Sequence, residues 1–193
     1  AMLEVEIKAS LAGIPVEDLL CRALAAGFVP GEQVKETDMY FNGAQRDFRR
    51  TDEALRLRSV CSLPDGPCES LLTYKGPKLD QVSSTRTEYE TAVSQGETTE
   101  KILEALGYRA IFTVEKVRRT YRKDHVTLCL DDVAGLGQFL ELETLAPAEE
   151  YREKALEEIL GLLDRLGIPQ DQLTRLSYLE MLIRKCRSAS SDQ

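Results

Sequence analysis

The sequence predicts an α+β protein whose centre is an antiparallel, eight-stranded β-barrel, closed or nearly closed, with helices flanking it. Three observations carry that expectation. Eight segments are strand-like, the connections between most of them are short, and helical periodicity is confined to four places. Short connections favour antiparallel pairing, because a parallel crossover needs a dozen or more residues. A closed or nearly closed barrel is the simplest arrangement of eight such strands.

The elements follow in order. Leu3 to Ala9 alternates apolar and charged residues and opens the chain as a strand, and Val16 to Ala26 has helical spacing that stops at Gly27. Val34 to Phe41, Ala54 to Cys61, Ser70 to Lys75 and Ser83 to Val93 are strands in succession. A helix over Thr98 to Leu106 ends at Gly107, and three further strands span Tyr108 to Tyr121, His125 to Asp131 and Gln138 to Leu145. Ala148 to Leu166, ended by Gly167, and Ser177 to Lys185 close the chain as helices. The polar run Ser188 to Gln193 is expected as a flexible tail, so residues 2–187 are expected to form a single domain.

The chain has 193 residues, enough to bury a sizeable core, and a formal net charge of -8. An acidic balance argues against a general nucleic-acid binder, which needs excess Lys and Arg for phosphates, so any anionic ligand must be held locally. No apolar run approaches membrane-spanning length, and AMLEVEIKAS lacks the basic end and apolar stretch of a secretion signal. A soluble, cytoplasmic protein with no membrane partner is therefore expected. Cys21, Cys61, Cys68, Cys129 and Cys186 form no CxxC pair and are expected as free thiols.

The charges alternate along the strands. Successive strand side chains point to opposite faces, so Glu4, Glu6 and Lys8 share one face while Leu3, Val5 and Ile7 share the other. The pattern returns at Arg56 and Arg58, at Arg86, Glu88 and Glu90, at Lys116 and Arg118, and at Glu141 and Glu143; Lys75 and Asp131 end two further strands. For any one strand the plain reading is a solvated outer face. Recurrence across the strands, with both signs and mostly Arg as the base, favours ionic faces turned into a lumen and helices covering the apolar outside. Buried charges need partners. A triphosphate with divalent cations supplies them, since phosphate accepts paired Arg hydrogen bonds and carboxylates hold Mg2+ or Mn2+ through hard oxygen ligands.

These residues resemble the CYTH superfamily of triphosphate tunnel enzymes, whose N-terminal signature ExExK is matched by Glu4, Glu6 and Lys8. Further matches run in order through ThrAspMetTyrPhe at 37–41, Arg56 and Arg58, TyrLysGlyPro at 74–77 and ArgThrGluTyrGlu at 86–90. PheThrValGluLysValArg at 112–118, the stretch 130–143 and SerTyrLeu at 177–179 complete a resemblance that covers nearly the whole chain. Several of these segments look most like the class IV, CyaB-like adenylyl cyclases. The resemblance implies Glu4, Glu6 and Glu141 as ligands of Mg2+ or Mn2+, with Glu143 and Asp131 either holding a second ion or orienting a basic neighbour. It implies Lys8, Arg56, Arg58, Lys75, Lys116 and Arg118 as the phosphate grip, with Arg86 as a further binding residue. Lys8, Arg58, Lys75, Lys116 and Arg118 are then expected to be catalytic.

Two reactions fit such a tunnel. One is two-metal conversion of ATP to cyclic AMP and pyrophosphate; the other is hydrolysis of an inorganic, nucleoside or thiamine triphosphate. A non-catalytic nucleotide or polyphosphate binder is disfavoured, because it would need the cations but not so many carboxylates. His125 is read as structural or solvent-facing, Tyr40 and Phe41 as packing, and Arg46, Arg49 and Arg50 as a solvated loop.

Overall fold

The computed structural model describes residues 3–191. Its strands are β1 (Leu3–Ser10), β2 (Val29–Asn42), β3 (Ala54–Ser62), β4 (Cys68–Lys75), β5 (Arg86–Val93), β6 (Arg109–Lys123), β7 (Val126–Val133), β8 (Gly137–Ala146) and the two-residue β9 (Leu173–Thr174). Its helices are α1 (Val16–Ala25), α2 (Phe48–Thr51), α3 (Gly96–Ala105), α4 (Arg152–Arg165) and α5 (Tyr178–Ser191). The hydrogen-bonded order β5-β4-β3-β2-β6-β7-β8-β1 returns to β5, which closes an eight-stranded antiparallel barrel, and β9 adds to the outer part of β1. Closure is uneven: β1 pairs with β8 over eight residues but with β5 only through Leu3 and Glu4, opposite Thr87 and Arg86.

Most apolar strand faces point outward and make two of the apolar clusters. Leu3, Val5 and Ile7 of β1, Leu128 and Leu130 of β7, and Leu140 and Leu142 of β8 pack beneath α1 and α4 through Leu19, Ala23, Ile159 and Leu163. Burying Leu- and Ile-sized side chains is worth about 1.5–3 kcal/mol each, so this sheet-on-helix layer fixes which face of each strand turns inward. A second cluster joins Phe41, Leu55 and Leu57 to Phe48 and to Leu103 of α3. The third lies at one end of the lumen, where Val114, Val133 and Phe139 receive Tyr178 and Leu182 of α5.

Helix stops fall where expected, with Gly27 and Gly167 at φ 98° and 72°, conformations a side chain would resist. Three differences have local causes. The strand expected from Ser83 begins at Arg86, because Asp80 accepts hydrogen bonds from Val82 N, Ser83 N and Ser83 Oγ and folds the preceding residues into a turn. The run with Arg46, Arg49 and Arg50 contains α2, capped by Asp47, which accepts from Arg49 N. The last helix continues past Lys185 through Ser188 to Ser191, where a tail was expected; Asp192, Gln193, Ala1 and Met2 lie outside the described residues.

The thiol expectation also changes. Cys61 and Cys68 face each other across the β3–β4 hairpin with Cα atoms 4.0 Å apart and form a disulfide, whereas Cys21, Cys129 and Cys186 are free. His125 is solvent-facing, with its Nε2 lying 2.8 Å from Glu158 on α4 at the surface.

Candidate active site

The inward faces enclose a cavity of about 300 Å³ that reaches every predicted site residue except Asp131. Its carboxylates lie on β1, β5 and β8 and its cations on β1, β3, β4, β5 and β6, as period-two strands in a closed sheet require. The barrel thus converts residues scattered over 140 positions of sequence into one wall.

The carboxylates divide into two groups by what they touch. Glu4, Glu6 and Glu143 offer oxygens all within 4.8 Å of one another, and among the described residues no other such triplet of potential metal-binding side chains occurs. Glu141 belongs instead to the cations: it accepts from Arg118 Nη2 at 2.8 Å and lies 3.6 Å from Lys8 Nζ. Asp131 sits below the cavity wall, with Arg118 Nε and Nη2 donating to its two oxygens at 2.6 and 2.7 Å and Tyr178 Oη donating at 2.6 Å. Of the two roles open to Asp131, the geometry matches orientation of a basic neighbour.

Beneath the cations runs a set of carboxylates that the sequence reasoning did not single out. Asp38 is fully buried and takes paired hydrogen bonds from Arg58 Nε and Nη2 at 2.6 and 2.8 Å, and a third from Lys116 Nζ at 2.9 Å. Glu36 lies 2.8 Å from Arg58 Nη1 and 3.3 Å from Arg118 Nε. Arg58, Lys116 and Arg118 therefore already have protein partners, so a triphosphate is not what makes their burial tolerable. Their positions are fixed by charge-assisted bonds at the back of each head group. The front-row cations are held differently. Lys75 Nζ bridges Glu4 at 3.0 Å and Glu88 at 3.2 Å, Arg56 donates to Thr73 Oγ1 at 3.2 Å, and Arg86 lies 3.8 Å from Asp52. Arg56 Nε is a buried donor with no hydrogen-bond partner among the described residues, a group that a phosphate oxygen would satisfy.

At the mouth stand residues from loops and helices that carry no strand periodicity: Arg49, Asp52, Glu53, Lys78, Arg175 and Glu180. Lys78 Nζ donates to Asp52 at 2.8 Å and lies 3.5 Å from Glu180, joining the β4–β5 loop to α5. Tyr40 lines the cavity with Phe48, Leu179 and Ile183, whereas Phe41 faces the outer core.

The electrostatics fit a hard cation at the carboxylate triplet. Burial, then the nearby Glu141, pushes Glu6 up to about 8, and burial with the charge of Glu4 pushes Glu143 up to about 7. Burial would raise Glu4 too, but Lys75 and its hydrogen bonds outweigh it and hold Glu4 at about 2. Glu141 is likewise lowered against its burial by Arg118 and Lys8. Crowded carboxylates that retain protons when empty are the donor set an oxygen-seeking divalent ion relieves.

A pH dependence follows. Between 4.5 and about 8 the folded chain binds more protons at Glu6 and Glu143 than the unfolded chain does, so stability without divalent ions falls as pH rises. The lowered carboxylates Glu4, Glu36, Asp38 and Glu141 work oppositely, contributing stability that is lost as pH falls below the ordinary carboxylate range. The unfolding temperature is expected to peak near about pH 5 and drop by roughly 5 °C toward pH 8, with excess Mg2+ flattening the drop. A metal-free curve that stays level or climbs over that range would show Glu6 and Glu143 already ionised.

A closed barrel with apolar cores packed on its outer face and paired carboxylates and cations inside defines a β-tunnel protein. The chain matches the CYTH domain family over residues 2–178 and belongs to it. In Methanocaldococcus jannaschii, a protein named "Putative adenylate cyclase MJ0240" is 40% identical over 183 residues, which are 93% of this chain and 98% of that one. "Adenylate cyclase CyaB" of Aeromonas hydrophila is 27% identical over 177 residues, 91% of this chain and 86% of its own. The solved structure of the PH1819 protein from Pyrococcus horikoshii superposes with a TM-score of 0.85 at 35% identity, covering 94% of this chain and 99% of that one. HpAC1 from Hippeastrum, described as revealing a dominant triphosphatase activity, shares the fold at a TM-score of 0.62 and 20% identity over 93% of each chain. No helix of the described residues is long and apolar enough to cross a membrane.

Proposed function

We propose that the protein is a metal-dependent enzyme that converts ATP to cyclic AMP and pyrophosphate inside the tunnel. The observation that carries this reading is the Glu4, Glu6 and Glu143 triplet facing Lys75, Arg56 and Arg86 across a single cavity. Carboxylates that can hold a divalent ion beside cations that can hold phosphate suit a metal–triphosphate substrate. The adenylate cyclase names of the relatives, and the Tyr40, Phe48, Leu179 and Ile183 wall beside the charges, support a nucleotide over an inorganic chain.

Glu4, Glu6 and Glu143 would hold Mg2+ or Mn2+, which supplies neutralisation of phosphate charge and acidifies the ribose hydroxyl. Lys75, Arg56 and Arg86 grip the phosphates, while Arg58, Lys116 and Arg118, each fixed from behind by a carboxylate, present charge to the leaving group without reorganising. The ribose 3′-oxygen bonds to the α-phosphorus, the bond from that phosphorus to the α,β-bridging oxygen breaks, the hydroxyl proton passes to water and pyrophosphate leaves. Lys8, fixed between Glu141 and the Leu176 carbonyl, which accepts from Nζ at 3.2 Å, orients the triplet rather than moving a proton. Positioning and charge neutralisation do most of the work.

Hydrolysis of the terminal phosphate is the second reading, and the predominance of ionic side chains in the cavity favours it. Incubation with ATP, inorganic triphosphate and thiamine triphosphate plus Mg2+ or Mn2+, followed by product separation, distinguishes the two. Cyclic AMP with pyrophosphate is the expected result; orthophosphate alone would reject the cyclase reading in favour of hydrolysis.

A further inference from the structure

Tyr178 is the first residue of α5, is 6% exposed and touches the tunnel in two chemically different ways. Its hydroxyl donates to Asp131 Oδ2 at 2.6 Å, and Asp131 in turn takes both Arg118 donors. Its ring lies beneath Lys8 Nζ, 4.2 Å from the centroid, with Lys116 Nζ at 5.7 Å. Arg118 reaches Glu141, and Glu141 reaches Lys8, so the contacts run in a loop from Tyr178 through Asp131, Arg118, Glu141 and Lys8 back to the same ring. Phe139 braces that ring edge-on at 5.1 Å.

Packing alone explains an aromatic residue here, but not the hydroxyl. A phenylalanine would fill the same space against Phe139 and Leu182 and keep the cation–π contact with Lys8. The hydroxyl adds one thing: it occupies the Asp131 oxygen that also binds Arg118 Nη2. Asp131 is 2% exposed, so losing this donor leaves a buried carboxylate short of a partner, and the carboxylate can then rotate away from its paired grip on Arg118.

We infer that Tyr178 is a positioning residue, setting the orientation of Arg118 through Asp131 and that of Lys8 through its ring. The inference deepens the triphosphate reading of the tunnel, and its value for function rests on that reading.

The test uses the full chain and the conservative variant Tyr178→Phe, with Leu182→Ala as the comparison. Leu182 holds the same helix through apolar contacts and is no part of the tunnel wall. The direct readout is solvent exchange of the Arg118 Nε–H, followed by NMR. It is expected to be about fivefold faster in Tyr178→Phe, the loss of one hydrogen bond, and unchanged in Leu182→Ala. Calorimetric titration with Mg2+ and inorganic tripolyphosphate is expected to show about fivefold weaker binding in Tyr178→Phe only. Unchanged Arg118 exchange in Tyr178→Phe overturns the inference, and so does an equal effect from Leu182→Ala. If exchange responds but the wild-type chain binds no tripolyphosphate, the positioning role stands and the triphosphate reading falls.

Discussion

Glu6→Gln is expected to lower turnover at least a thousandfold, roughly 4 kcal/mol of transition-state stabilisation, while leaving the chain folded. Gln has nearly the shape of Glu but offers a neutral amide where a divalent ion needs an anionic oxygen. Stability should move in the opposite direction. Glu6 is held near about 8 because burial and Glu141 oppose its charge, so a neutral side chain there removes a cost at neutral pH. Without divalent ions at pH 8, the variant should unfold at or above the wild-type temperature. Turnover within tenfold of wild type would remove Glu6, and with it the carboxylate triplet, from the mechanism.

Asp38→Asn should give the reverse pattern, a folding defect from a residue that no substrate needs to touch. Three donors from Arg58 and Lys116 converge on its two oxygens, and the charges of those cations hold Asp38 well below its ordinary value against the effect of burial. Removing one partner of a buried ionic cluster costs about 3–5 kcal/mol, because the remaining charges stay buried. In a chain of this size that is a fall in unfolding temperature on the order of 10 °C. Tripolyphosphate should recover part of the loss, since it brings negative charge back to the same guanidinium and ammonium groups. A shift below about 2 °C in thermal unfolding would mean that Glu36 alone balances both cations.

The barrel and most of its wall were legible in the sequence because a strand writes its burial in steps of two. Glu4, Glu6 and Lys8 could be assigned to one face without knowing which neighbours they would meet. Glu36 and Asp38 follow the same spacing, but their neighbours Lys35 and Thr37 on the outward face are polar as well, so this stretch of β2 shows no contrast between faces. Asp131 illustrates a different limit. Its type allows a metal or an arginine as partner, and only the pairing of Arg118 with Asp131 across β6 and β7 decides which. The Cys61–Cys68 link depends on hairpin register in the same way. Asp52, Lys78, Arg175 and Glu180 come together at the mouth through turns and a helix start, where no period marks an inward face.

The strand order has a consequence for when the site can exist. Glu4 and Glu6 lie near one end of the chain and Glu143 lies in β8, so the triplet forms only after β1 has found a partner some 140 residues away. Contacts that distant carry a large loop-closure cost and are formed slowly unless intervening hairpins shorten the effective loop. The hairpins β3–β4, β6–β7 and β7–β8 do that here, each joining neighbours in sequence. During synthesis the cation-bearing strands β3, β4 and β6 therefore emerge well before β8 can complete the carboxylate triplet. Divalent-ion binding becomes a late event in folding, and a fragment ending before Glu143 has no means of assembling the triplet.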